Sequence, residues 1–91
     1  MRVLVIEDDA GLRGQLLDGL KQAGFVVDAA LDGEEGVYYG REYDYDAAVV
    51  DLGLPKRDGI SVIQALRSHG RRYPILILTA RVRWQDKVTG L

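Results

Sequence analysis

The sequence contains no cysteine, which excludes disulfides, thiolate zinc sites and a cysteine nucleophile. Its apolar runs are far shorter than the ~20 residues that a membrane-spanning helix requires. The opening MRVLVI is followed at once by acidic residues, unlike a signal peptide. The formal net charge of -2 offers no basic surface for nucleic acid. These absences predict a cytoplasmic protein that begins at its true start, with no membrane contact.

Short apolar runs alternate with helical patterns along the 91 residues, enough chain for one domain. Runs without polar alternation suit strands that are covered on both faces, as in a parallel sheet. The alternation therefore predicts an α/β fold with right-handed crossovers and a doubly wound parallel sheet of about four strands. The predicted strands are Val3 to Ile6, Phe25 to Ala30, a run ending at Asp51, and Pro74 to Leu78, the last also expected to be buried.

Helices are expected between these strands. Three begin at aspartate caps, and the second carries Glu35 where a capping box requires it. Its Gly36 and Gly40 lower helix propensity by roughly 1 kcal/mol each relative to alanine. The predicted caps are Asp9, Asp32 and Asp58, and the predicted helix ends are Gly24 and His69-Gly70. The third helix is expected to pack a core stripe against the sheet, formed by Ile60, Val62, Ile63, Ala65 and Leu66. A fourth helix is predicted to start at Trp84 and to continue to Leu91.

Acidic residues follow two of the predicted strands directly. Glu7, Asp8 and Asp9 come after the first, and Asp51 ends the third. In open parallel sheets, reactive groups gather beyond the carboxyl ends of the strands, so these carboxylates converge if the two strands are neighbours. Converging carboxylates repel one another, and a bound Mg²⁺ relieves the repulsion. The alternative is that each acid is only a helix cap or a solvated loop residue.

Three segments, VLVIEDD, VVDLGLPKRDG and ILILTA, resemble the receiver domain of two-component response regulators. The DLxLPxxDG form is similar to the subfamily with a winged-helix DNA-binding domain. The resemblance implies a flavodoxin-like receiver fold and phosphotransfer from a sensor histidine kinase to Asp51. It implies Mg²⁺ held by Asp8, Asp51 and the backbone carbonyl of Gly53, with Glu7 assisting through water, and Thr79 as the switch hydroxyl. DNA would be bound only through an output domain absent from residues 1 to 91.

The sequence departs from this family at its C-terminal end. A complete receiver continues with a fifth strand, which carries a lysine that contacts the phosphoryl group, and with a fifth helix. Lys87 stands at the wrong point in the pattern to replace that lysine. Loss of a fifth strand would expose the edge of PILIL, so self-association or a domain-swapped homodimer is expected.

Two other functions are considered beside a phosphoacceptor signalling domain that turns over no substrate. A Mg²⁺-dependent aspartyl-phosphate phosphatase of the haloacid-dehalogenase type also uses an aspartate at a strand end. That class requires a second aspartate two residues later as general acid, and Gly53 occupies this position. A non-catalytic interaction fragment is the other alternative, and Mg²⁺ binding would distinguish it from a phosphoacceptor.

Overall fold

A computed structural model of the chain describes residues 1 to 78. Strands and helices alternate strictly along this part, as the apolar pattern predicted. The elements are β1 (Arg2–Ile6), α1 (Ala10–Gln22), β2 (Val26–Ala30), α2 (Gly33–Glu42), β3 (Ala47–Asp51), α3 (Gly59–Ser68) and β4 (Ile75–Leu78). None of the helices in these residues is long and apolar enough to cross a bilayer.

The four strands form one parallel sheet in the order β2-β1-β3-β4. The chain moves from β1 outward to β2, then returns past β1 to β3, so the strand order reverses between β1 and β3. In that pair Ile6 lies opposite Val50. A crevice therefore opens at this switch point, beyond the ends of β1 and β3, which is where such sheets place their functional groups. The predicted doubly wound fold is confirmed.

Both faces of β1 and β3 are covered, which explains their lack of polar alternation. On one face Leu4, Ile6 and Val50 are fully buried against α2 and α3. On the other face, Val3 and Val5 pack with leucines of α1. The central strands are therefore held from both sides, and the residues that directly follow them have fixed starting positions.

The predicted aspartate caps are confirmed at all three helices. The carboxylates of Asp9, Asp32 and Asp58 accept hydrogen bonds from the third residue beyond each cap, at 2.9 to 3.1 Å. Glu35 does reach back, but its Oε1 accepts from the N–H of Leu31 at 3.0 Å, one residue before the cap. Helix α2 thus begins with two linked side-chain bonds that tie it to the end of β2.

The glycines that weakened the prediction of α2 have a packing role. A Cβ on Gly36 would lie 2.6 Å from a methyl carbon of Ile6, and one on Gly40 would lie 2.7 Å from Leu66. Tyr73 donates a hydrogen bond to the carbonyl of Gly40 at 2.9 Å. These glycines let α2 approach β1 and α3 closely, so tertiary contacts offset the helix propensity that they lack.

Two expectations about burial were wrong. Ile60 is 49% exposed instead of joining the core stripe of α3, because that helix turns Val62 and Leu66 inward. Strand β4 was expected to be buried, yet Leu76 is 65% and Ile77 43% exposed. It is an edge strand of the described sheet, bonded to β3 on one side. The predicted helix from Trp84 to Leu91 lies outside the described residues.

A cavity of about 420 Å³ lies between β2 and α2 and is lined by tyrosines and by Arg2 and Asp28. Its charged groups pair with each other, since Arg2 Nη2 is 2.8 Å from Asp28 Oδ2. The hydroxyl of Tyr45 donates to the same oxygen at 2.7 Å. Burial first, and this hydrogen bond second, raise the pKa of Tyr45 well above its usual range. The network joins the strands at the end of the sheet opposite the acidic residues.

Candidate metal and phosphoacceptor site

Three carboxylates meet at the crevice between β1 and β3. Ligand oxygens of Glu7, Asp8 and Asp51 all lie within 4.8 Å of one another. Glu7 is fully buried and Asp51 is 5% exposed, whereas Asp8 faces solvent. Two of the three are thus shielded from water at a place where their like charges face each other. The convergence predicted from the strand ends is confirmed as geometry.

The donor set has the chemistry of a site for a hard divalent cation. Mg²⁺ prefers oxygen ligands, and one or two carboxylates commonly hold it while its other positions remain open to water and phosphate oxygens. Glu7 also accepts a hydrogen bond from the N–H of Asp9 at 3.1 Å, which orients its carboxylate. Asp8 is the exposed member of the three, so an ion can enter the site from solvent beside Asp8.

The remaining predicted site residues are placed less completely. The N–H of Gly53 points to Asp51 Oδ1 at 3.4 Å, and Gly53 itself is exposed just beyond the cluster. The ligand role of its carbonyl stays a prediction. Thr79 lies outside the described residues, and its role as the switch hydroxyl stays a prediction. Asp9, which was assigned no ligand role, caps α1.

The loop after Asp51 is tightly folded. The N–H of Arg57 donates to the carbonyl of Pro55 at 2.7 Å, and Lys56 between them has a φ of 66°. This three-residue turn at a left-handed residue is a strained conformation of the kind that clusters at functional sites. The same Pro55 carbonyl accepts from Gly33 at 3.3 Å, so the N-terminus of α2 braces the loop.

The side chain of Lys56 turns toward α2, where its Nζ lies 3.6 Å from Asp32 Oδ2. The pKa of Asp32 is lowered, mainly by the hydrogen bond from the backbone N–H of Glu35 and less by this lysine. The ion pair is a second link between the loop and α2. Both links lie within a few residues of Asp51 in the chain.

Two contacts that support this site were not predicted from the sequence. Arg13 in α1 donates to the carbonyl oxygens of Glu7 and Asp8. Gly59 is the first residue of α3, and its φ is not left-handed. A Cβ there would lie 2.4 Å from the carbonyl oxygen of Asp51. The sequence does hold a signal for the Arg13 contact, because an arginine one turn inside a helix that follows an acid cluster can reach back to it. The Gly59 contact has no such signal, because it depends on how closely β3 and α3 approach.

Comparison with known proteins agrees with this geometry. A family model described as the response regulator receiver domain matches residues 3–91. The two-component response regulator PhoP of Pseudomonas aeruginosa is 55% identical over 91 residues, and the transcriptional regulatory protein PhoP of Escherichia coli is 53% identical. Both matches include 100% of this chain but only 40% and 41% of those proteins. The chain therefore spans less than half the length of these relatives.

Solved structures give the same result. The receiver domain of a Francisella response regulator superposes with a TM-score of 0.83 at 30% identity, covering 98% of this chain and 74% of that one. The receiver domain of a sensor histidine kinase from Pseudomonas aeruginosa gives a TM-score of 0.84 at 32% identity, covering 94% and 72%. That second structure holds a magnesium ion coordinated in its active-site cleft.

Proposed function

Because the chain belongs to the response regulator receiver domain family, we propose that Asp51 is its phosphoacceptor and that a sensor histidine kinase is the donor. The observation that supports this most directly is the placement of Asp51. It ends a central strand, is 5% exposed, and has two further carboxylates within 4.8 Å. A nucleophile needs such a fixed position, and Asp51 has it because β3 is buried on both faces.

In the proposed transfer, a carboxylate oxygen of Asp51 attacks phosphorus. A bond forms between that oxygen and phosphorus while the bond from phosphorus to a nitrogen of the donor histidine breaks, and that nitrogen keeps the electron pair. The product is an acyl phosphate on Asp51. Glu7 and Asp8 do not react. Their carboxylate oxygens lie within 4.8 Å of Asp51, where they offer further ligands for a cation.

We propose that Mg²⁺ is the cofactor, held by Asp8, Asp51 and the carbonyl of Gly53, with Glu7 assisting through water. When bound, the ion supplies positive charge that offsets the charge of the transferring phosphoryl group. The carboxylates of Glu7 and Asp51 fit this assignment because their oxygens lie within 4.8 Å of each other and of Asp8, and a bound cation offsets the repulsion between them. Thr79 is proposed as the hydroxyl that responds to phosphorylation.

The relatives are more than twice as long as this chain. We propose that residues 1 to 91 are the receiver part of a cytoplasmic transcription regulator whose DNA-binding output domain lies outside them. The phosphatase alternative is not favoured by the comparisons, and Gly53 lacks the carboxylate that such an enzyme would use as its acid. The receiver is a signalling domain, and we propose that it contributes only to its own phosphorylation and turns over no other substrate.

Mg²⁺ and a small-molecule phosphodonor test the proposal together. We expect Mg²⁺ to raise the thermal midpoint of the protein, because an ion that binds only the folded state stabilises it by about 2.7 kcal/mol at 100 times its Kd. We also expect the intact mass to increase by one phosphoryl group when Mg²⁺ and the donor are both present. EDTA should prevent this increase. An unchanged midpoint and mass at millimolar Mg²⁺ would contradict the function.

We further propose that the 91-residue polypeptide self-associates through the exposed edge at β4. Leu76 and Ile77 present apolar surface there, and an apolar edge strand readily pairs with another chain. Sedimentation velocity should show a dimer whose fraction rises with protein concentration. Replacing Leu76 with lysine should shift it to the monomer, and a wild-type monomer across the micromolar range would refute this proposal.

A further inference from the structure

Arg13 binds the backbone of the two residues that open the acid cluster. Its Nη1 donates to the carbonyl oxygen of Glu7 at 3.0 Å and to that of Asp8 at 3.3 Å. The arginine lies in the second turn of α1, which begins at Ala10. Its side chain therefore reaches back over the start of the helix and closes the turn between β1 and α1.

We propose that Arg13 is a positioning residue for the Mg²⁺ site, an inference that rests on the proposed function. By holding the carbonyl groups of Glu7 and Asp8, it fixes the two peptide units from which their carboxylates project. It does so without being a ligand itself. Groups that orient metal ligands from behind contribute to affinity because the ligands then need no reordering when the ion binds.

The charge of Arg13 acts in the opposite direction, since a guanidinium near the cluster repels a divalent cation. Two observations decide which effect is larger. The guanidinium is directed at backbone carbonyl oxygens, and hydrogen bonds from a charged donor are about twice as strong as neutral ones. The repulsion acts beside solvent, since Asp8 is exposed and Arg13 is half-buried, and the high effective dielectric there weakens it. Positioning therefore outweighs repulsion.

Calorimetric titration of the 91-residue protein with Mg²⁺ at near-physiological salt tests this role. We expect Arg13→Met to weaken Mg²⁺ binding by about 10-fold, the lower end of losses seen when groups behind metal ligands are removed. Arg13→Lys keeps a charged donor and should recover part of the affinity. The thermal midpoint of each metal-free variant is measured in parallel, so that a change in folding is recorded separately.

Arg71→Met is the matched control. The Arg71 guanidinium also binds a backbone carbonyl, since its Nε donates to the carbonyl oxygen of Arg41 at 3.2 Å, and its Nη1 donates to the carboxylate Oδ1 of Asp44 at 2.8 Å. It stands just before β4, at the end of the sheet opposite the acid cluster. Its loss should lower the thermal midpoint and leave the Mg²⁺ affinity unchanged.

The outcomes separate the inference from the function on which it rests. Equal Mg²⁺ affinity in wild type and folded Arg13 variants would overturn the positioning role, and tighter binding by Arg13→Met would show that charge repulsion dominates. If Arg13→Met fails to fold, Arg13→Lys decides, because it must bind measurably more weakly than wild type. A wild-type protein that does not bind Mg²⁺ would instead overturn the proposed function itself, and the inference with it.

Discussion

Replacement of Asp51 with asparagine is expected to abolish phosphorylation of the chain completely. The amide has nearly the same shape as the carboxylate, so the side chain still fits at the end of β3, where it is 5% exposed. It lacks the negative oxygen that attacks phosphorus. Intact mass after incubation with Mg²⁺ and a phosphodonor should show one added phosphoryl group in wild type and none in the variant.

A matched substitution shows that the loss belongs to the site. Asp58→Asn makes the same chemical change seven residues later, at the exposed cap of α3, where asparagine also caps well. It should be phosphorylated like wild type.

Asp51→Asn should also be at least as thermostable as wild type without metal, because it removes one of three like charges within 4.8 Å. Phosphorylation of folded Asp51→Asn would reassign the acceptor.

The sheet and the convergence of its acids could be predicted because both depend on local signals. Val49 and Val50 indicate a strand covered on both faces, and Asp51 directly follows them. Once parallel strands are inferred, their ends must share one edge of the sheet. The aspartate caps were predictable for the same reason, since each cap bonds a residue only three positions away.

The supporting contacts could not be predicted, because they depend on how distant elements approach. Gly33 at the start of α2 donates to Pro55 in the loop after β3, and Gly36 approaches Ile6 of a strand thirty residues earlier. Exposure of Ile60 likewise follows from the rotation of α3 against the sheet, and an apolar pattern allows several rotations. By helix propensity alone the glycines of α2 destabilise the helix, whereas in the packed structure they are the residues at which α2 comes closest to β1 and α3.

Gly59→Ala is expected to cause a large loss of stability. The added Cβ would lie 2.4 Å from the carbonyl oxygen of Asp51 and 2.8 Å from the Cα of Leu52. Both are backbone atoms, which cannot rotate away, so α3 and the end of β3 must separate. Overpacking of this kind costs about 3 kcal/mol. For a domain this small, the thermal midpoint should fall by roughly 12–24 °C.

Gly19→Ala is the matched control, because a Cβ at this exposed position in α1 meets nothing within 4 Å. Alanine should stabilise that helix by about 0.5–1 kcal/mol, so the same methyl group should act in opposite directions at the two positions. The Gly59 variant should also accept phosphate more slowly while still folded, since its methyl displaces the main chain of the acceptor. Unchanged stability and phosphorylation in Gly59→Ala would mean that β3 and α3 are not in the close contact from which the placement of Asp51 is argued.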